Sequence, residues 1–97
     1  MYALAILRYQ RPLEEVLTVT GEHRAYLQTL QDQGILLASG PFEPRTGGGL
    51  LLRVPDDSAQ QAVDAIRDND PYTLKGMAQY EVLLWTPGIG KEALDRL

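Results

Sequence analysis

Residues 2–9, which read YALAILRY, decide the fold of this chain. Alternate residues of a β-strand point to opposite faces of a sheet. Both alternating sets are largely apolar here: one face carries Tyr2, Leu4 and Ile6, and the other carries Ala3, Ala5 and Leu7. A sheet with one solvated face alternates apolar with polar residues, so this pattern predicts a strand that is covered on both sides.

The rest of the chain predicts two helices and three further strands. Pro12 suits the first position of a helical turn, and Thr20 suits the N-cap of a main helix over about residues 21–33. Gly34 is a natural end for that helix. Apolar periodicity then predicts strands over 35–42, 50–55 and 78–85, with a second helix over about 59–68. A short turn or helix follows it, and the polar tail has the pattern of one more helix.

The order strand, helix, strand, strand, helix, strand predicts an α+β fold, the ferredoxin-like βαββαβ arrangement with a four-stranded antiparallel sheet. Both helices would cover one face. The segment EPRTGGG (43–49) is expected to be a mobile connector, because consecutive glycines order poorly. The last strand is also apolar on both sides, so we predict a homodimer with the sheets packed face to face. The alternative is that one or two apolar residues are simply exposed.

Composition narrows the class of protein. The 97 residues suggest a single domain over 1–97, and 44% hydrophobic with 23% charged residues are globular values. The net charge is −4 and the nine basic residues are scattered, which argues against nucleic-acid and membrane partners. Cysteine is absent, which excludes disulfides and thiolate chemistry. The first residues form neither a signal peptide nor a membrane span, so we expect a cytoplasmic protein.

The only histidine, His23, lies in GEHRAYLQTL (21–30). On a helix it shares a face with Tyr26, Leu27 and Leu30, which should point into the protein. With Thr20 as N-cap, it would lie in the first helical turn, where the helix dipole disfavours the imidazolium. A neutral imidazole can act as a general base. The alternative is a core histidine that bonds a backbone carbonyl.

Asp70 and the segment SGP (39–41) are the other candidates. Asp70 precedes a proline, which makes it a good N-cap as well as a candidate functional carboxylate. Ser39 lacks the context of a hydrolase nucleophile but could donate a hydrogen bond to a ligand. Gly40 permits close backbone approach, and Pro41 stops sheet pairing. One histidine with scattered carboxylates predicts no metal site.

The order and spacing of these residues resemble the YCII-related family. The resemblance rests on EHRAYLQTLQDQGILLASGPF and AIRDNDPYTLKGMAQYEVLLW, and it covers about residues 2 to 86. The matching positions are His23, Leu27, Leu30, Gly34, Gly40, Pro41, Asp70, Pro71 and Tyr72. The resemblance implies a dimeric α/β barrel of two ferredoxin-like subunits. It also implies a cleft with a His–Asp pair, which falls on His23 and Asp70.

The resemblance leaves the reaction open, because related α/β-barrel enzymes include isomerases, dehalogenating enzymes and monooxygenases acting on small cyclic or aromatic compounds. No flavin or haem motif is evident, so we predict acid/base chemistry without a cofactor, in an isomerase, lyase or hydrolase. His23 would be the acid/base and Asp70 would orient it, with substrate bound by Ser39, Gly40, Pro41 and Tyr72. Two alternatives stay open: a non-catalytic module that binds a small ligand or serves a larger assembly, and a purely structural His–Asp pair.

Overall fold

The computed structural model describes residues 1–97 and contains four strands and four helices. The predicted α+β, ferredoxin-like fold is confirmed, with an antiparallel sheet in the order β2-β3-β1-β4. A short 3-10 turn, Asp56–Ser58, precedes the second long helix. In chain order the elements are β1 Tyr2–Tyr9, α1 Leu13–Asp32, β2 Leu36–Pro41, β3 Gly47–Arg53, α2 Ala59–Asn69, α3 Pro71–Leu74, β4 Ala78–Trp85 and α4 Lys91–Asp95.

The central strand β1 divides the sheet into an inner and an outer face. Its residue Ala5 pairs with Leu50 of β3 and with Val82 of β4, so these three side chains share the inner face. Helices α1 and α2 cover that face with side chains such as Val16 and Val63, which are fully buried in one apolar cluster with β1. The core therefore lies between the sheet and the two long helices, as the predicted topology requires.

Helix α1 differs from the prediction because it is continuous from Leu13 to Asp32. Pro12, not Thr20, occupies the N-cap position. The Thr20 hydroxyl donates back to the carbonyl of Val16 over 3.1 Å, so it is satisfied inside the helix. The buried stripe runs from Val16 through Thr20 to His23 without a break, and its packing outweighs the capping signal of Thr20. His23 thus lies within the helix, and the predicted influence of a helix N-terminus does not apply.

The glycine run also differs from the prediction, because Gly47–Gly49 form the start of β3 and not a mobile connector. A Cβ atom added to Gly47 would lie 1.8 Å from the carbonyl oxygen of Leu7 on β1. One added to Gly48 would lie 2.8 Å from the carbonyl oxygen of Gly40 on β2. The neighbouring backbones leave no room for side chains there, so glycine is required by sheet packing.

The outer face of the sheet carries large apolar side chains that are only partly covered, beside the exposed ion pair of Arg8 with Glu81. Trp85 is 38% exposed, Leu83 is 46% exposed, and Phe42 is 40% exposed beside Gly49. Half-buried Leu4 and Ile6 of β1 lie between them. The predicted two-sided apolar character of β1 and β4 is therefore present in the folded chain.

The C-terminal tail forms α4, as its pattern predicted, and it packs against one end of the sheet. Arg53 on β3 donates a hydrogen bond of 2.8 Å to the carbonyl oxygen of Leu97. Tyr2 on β1 donates one of 2.5 Å to the carboxylate of Asp95. These contacts fix the tail to one end of the sheet, where β1 begins and β3 ends. None of the helices has both the length and the apolar character needed to span a bilayer.

Candidate active site

His23 and Asp70 meet although they are 47 residues apart in the chain. Helix α1 presents His23, and the bend between α2 and α3 presents Asp70. The His23 Nδ1 atom lies 2.8 Å from Asp70 Oδ1, and the two side chains are 10% and 0% exposed. The pair that the family resemblance implied is therefore close enough for a hydrogen bond in a nearly dry environment.

Asp70 is held in place by three donors. Its Oδ1 accepts the backbone N–H of Tyr72 over 2.9 Å, which is the N-cap bond of α3 that Asp-Pro predicted. The same oxygen faces His23, and Oδ2 accepts the hydroxyl of Tyr80. An ionised carboxylate can only accept hydrogen bonds, so the shared proton belongs to His23 Nδ1. This arrangement fixes the histidine tautomer that leaves Nε2 without a proton when the ring is neutral.

The second ring nitrogen of His23 faces accessible space. His23 Nε2 makes no hydrogen bond within the protein. The single side-chain polar atom that is both buried and unpaired is Thr73 Oγ1, so Nε2 retains contact with solvent. His23 therefore combines an oriented, buried side with a basic nitrogen that a small molecule can reach.

Tyr72 supports the His23 ring from one side. The two rings are stacked with centroids 3.8 Å apart and planes 7° apart. The Tyr72 hydroxyl lies 2.8 Å from Thr20 Oγ1, and it is the donor because Thr20 donates to Val16. Burial raises the pKa of Tyr72, which keeps its hydroxyl protonated. Tyr9 packs edge-on against Tyr72 with centroids 6.0 Å apart, so the stacked pair has little room to shift.

A cavity of about 220 Å³ opens beside the dyad, and 14 residues line it. The predicted substrate-binding residues Ser39, Gly40, Pro41 and Tyr72 are all among them, together with His23. Ser39, Gly40 and Pro41 are exposed at the end of β2 and form part of the mouth. Gly48 and Gly49 of β3 form part of the wall. The binding role of these residues stays a prediction.

Sequence reasoning missed five polar residues of this region. Arg24 and Arg45 line the cavity, and Tyr9 lines it while accepting a bond of 3.3 Å from Arg45 Nε. Thr20 and Tyr80 anchor Tyr72 and Asp70. The inward-facing position of Tyr80 on β4 was the one available signal, because a buried tyrosine hydroxyl needs a partner. Nothing in the sequence marks the two arginines.

Two tyrosines near Asp70 stay protonated under ordinary conditions. Burial raises the pKa of Tyr80, and the negative charge of Asp70 raises it further. Burial and the same charge raise the pKa of Tyr26 to about 12. The Tyr26 hydroxyl donates to the carbonyl of Ile66 over 2.8 Å. Both phenols therefore act as hydrogen-bond donors, Tyr80 to Asp70 and Tyr26 to the backbone. No group of three or more His, Cys, Asp or Glu side chains is arranged to hold a metal ion.

The fold and the site define a ferredoxin-like α+β protein with a cavity beside a buried His–Asp pair. The chain belongs to the family of the YCII-related domain, whose profile matches residues 2–86. It is similar to the solved structure of 5-chloro-2-hydroxyhydroquinone dehydrochlorinase from Burkholderia phenoliruptrix in complex with 2,5-dihydroxybenzoquinone. The TM-score is 0.74 at 25% identity, and the match covers 91% of this chain and 96% of the other. Comparison with curated protein sequences found no match.

Proposed function

We propose that this protein is a small-molecule enzyme in which His23 is the general acid/base and Asp70 orients it. The observation that carries the proposal is the bond of 2.8 Å between His23 Nδ1 and Asp70, with Nε2 reachable from the cavity. A base must reach the proton that it removes. Of the two ring nitrogens of His23, only Nε2 meets that condition, because Nδ1 bonds Asp70. The chemistry proposed is proton abstraction next to a carbonyl, ring isomerisation or elimination, and it requires no cofactor.

The proton moves through His23 alone. Nε2 takes a proton from an acidic O–H or C–H bond of the substrate, and that bond's electron pair forms a new C=O or C=C bond. In an elimination, a leaving group such as halide departs with its own electron pair, so the net change is loss of HX. Asp70 accepts the Nδ1–H bond throughout and stabilises the imidazolium that forms. The electrons balance without an external oxidant or reductant.

Halide elimination is the reaction to test first. It is supported by the likeness to a dehydrochlorinase whose solved complex holds a dihydroxybenzoquinone. The cavity volume of about 220 Å³ also suits one substituted ring, since a cavity of about 150 Å³ is enough for benzene. Ser39 and the backbone at Gly40 are proposed to position an oxygen of the ring at the mouth, with Pro41 and Tyr72 as apolar contacts. A chlorinated hydroxyhydroquinone therefore fits the proposed substrate class.

The test measures halide release from a panel of chlorinated hydroquinones and hydroxyhydroquinones, kept anaerobic to suppress spontaneous oxidation. We expect His23→Gln to lower kcat/KM by about 10²–10⁴-fold, the usual contribution of a general base. Glu14→Gln, an exposed change on the same helix, is the matched control and should leave the rate unchanged. Turnover that survives His23→Gln would refute the dyad. Ligand-induced thermal stabilisation without any turnover would favour the non-catalytic binding module.

We also propose that two copies pack through the outer faces of their sheets as a homodimer. The support is the apolar part of the outer face around Leu4, where Leu83 and Trp85 remain 46% and 38% exposed, because an exposed apolar patch on one face is typical of an interface. Light scattering should give twice the chain mass of 10.8 kDa. Leu83→Lys should shift the mass to that of one chain, whereas Ile89→Lys, at a fully exposed position away from the sheet, should not. A wild-type monomer at micromolar concentration would reject the dimer.

A further inference from the structure

The lining of the cavity is basic in an acidic protein. Its lining contains two arginines, Arg24 and Arg45, together with His23, and none of the 14 lining residues is Asp or Glu. The chain as a whole has a net charge of −4, so this local excess of positive charge runs against the composition. The carboxylate of Asp70 is fully buried and pairs with His23, and it is not one of the residues that line the cavity.

The two cavity arginines lack the carboxylate partners that Arg8 and Arg67 have. Arg8 pairs with Glu81 over 2.9 Å, and Arg67 lies within ion-pair distance of two aspartates. Arg45 donates only its Nε, to the neutral hydroxyl of Tyr9, and its two Nη nitrogens make no hydrogen bond. Arg24 makes neither a hydrogen bond nor an ion pair, and it is exposed at the cavity beside His23. Both guanidinium groups are therefore available to a ligand.

We propose that the cavity selects a planar anion, a single ring that carries a carboxylate or an ionised hydroxyl, and that Arg45 and Arg24 bind its charged oxygens. The proposal rests on the proposed function for the site and names the charge of its ligand. A guanidinium presents parallel N–H donors that match a carboxylate, and a bond between two charged groups is stronger than a neutral one. Tyr9 holds Arg45 by its Nε, which leaves the outer Nη1–Nη2 edge to face the ligand.

This charge pattern also suits the chemistry. Removal of a proton next to a carbonyl places negative charge on the substrate oxygen. Cations beside that oxygen stabilise the charge as it develops. Arg45 and Arg24 are therefore proposed as binding residues with a second effect on the transition state, separate from proton transfer at His23.

Benzoate and benzamide are the probes, because they have the same planar shape and differ in charge. Chemical-shift titrations of the His23 and Gly49 signals report binding in the cavity and need no turnover. We expect benzoate to bind with Kd on the order of 1 mM and about tenfold more tightly than benzamide. Arg45→Gln and Arg24→Gln should each reduce that ratio several-fold. Arg11→Gln is the matched control, because Arg11 is exposed, forms no ion pair and lies outside the cavity lining.

The outcomes separate this proposal from the proposed reaction. Equal binding of the two probes, absence of benzoate binding, or the same loss in Arg11→Gln would overturn anion selection. The benzoate preference should persist in His23→Gln, and its loss there would assign the charge to His23 and overturn the role of the arginines. A preference that persists without halide release in any assay would leave anion selection standing and reject the reaction. Halide release from neutral substrates, together with equal affinities for benzoate and benzamide, would support the reaction and overturn anion selection.

Discussion

Replacing Asp70 by asparagine is the sharpest perturbation of this protein, because one carboxylate serves three donors at once. It accepts bonds from His23 Nδ1, from the backbone N–H of Tyr72 and from the hydroxyl of Tyr80. Asparagine keeps one acceptor oxygen of the same size and can still cap α3. It loses the negative charge and presents an NH₂ group where Tyr80 now finds an acceptor.

The expected loss of stability follows from those three bonds. A hydrogen bond to a charged group contributes about 1.5–3 kcal/mol, and one between neutral groups contributes about 0.5–1.5 kcal/mol. Removing the charge also recovers part of the desolvation cost of burying Asp70. The difference between charged and neutral bonds, summed over all three, is therefore an upper limit on the loss of stability. We expect the free energy of unfolding to fall by about 1–3 kcal/mol, which lowers Tm by roughly 4–8 °C for each kcal/mol.

Urea unfolding gives the stability, and long-range ¹H–¹⁵N NMR gives the tautomer of His23. Wild type should carry the proton on Nδ1, and Asp70→Asn should populate the other tautomer as well. Tyr80→Phe is the matched control, because it removes one donor to Asp70 and leaves the His23 bond intact. It should cost about 1 kcal/mol and leave the tautomer unchanged. Asp70→Asn with wild-type stability and an unchanged tautomer would refute the reasoning.

Three further predictions concern stability. Gly47→Ala should cost about 1–3 kcal/mol, because its Cβ would collide with the Leu7 carbonyl, whereas Gly40→Ala, which has open space, should change urea stability by less than about 0.5 kcal/mol. Gly21→Ala, on the exposed side of α1, should add about 0.5–1 kcal/mol by the same assay. A tyrosine in the unfolded chain has a pKa near 10, and folding raises the pKa of Tyr26 to about 12. The unfolded chain therefore loses this proton first, so the free energy of unfolding should fall as the pH rises through this window. In Tyr26→Phe the fall between about pH 9 and 11 should be smaller.

The sheet could be predicted because its signal is local. The period of two in β1 and β4 survives in the folded chain, with Ala5 and Val82 paired on the inner face. The start of α1 could not be predicted, because Thr20 followed by Gly21 has the local chemistry of a helix start. The Thr20 hydroxyl instead bonds Val16 within the helix and supports Tyr72 across the core. That second contact joins residues 52 apart, which no local rule detects.

The candidate site could be predicted from the sequence only in part. The proximity of His23 to Asp70 came from the family resemblance and not from spacing, since chain distance does not report which loop packs on which helix. Arg24 and Arg45 were missed because the sequence does not show which arginines have a carboxylate within ion-pair distance. That is known only once the carboxylates are placed in the folded structure. The catalytic and binding roles, the dimer, the single-domain organisation and the cytoplasmic location stay predictions.

The glycine run at the start of β3 has a consequence for how ligand choice can change. Side chains at positions 47 and 48 would collide with neighbouring backbone, and one at 49 would lie 3.3 Å from the Phe42 ring. Gly48 and Gly49 line the cavity, and a side chain at 48 would collide with the backbone of β2, so a substitution at 48 cannot narrow the pocket without deforming the sheet. Variation in ligand size is therefore expected at the exposed lining positions, such as those of Arg24 and Ser39.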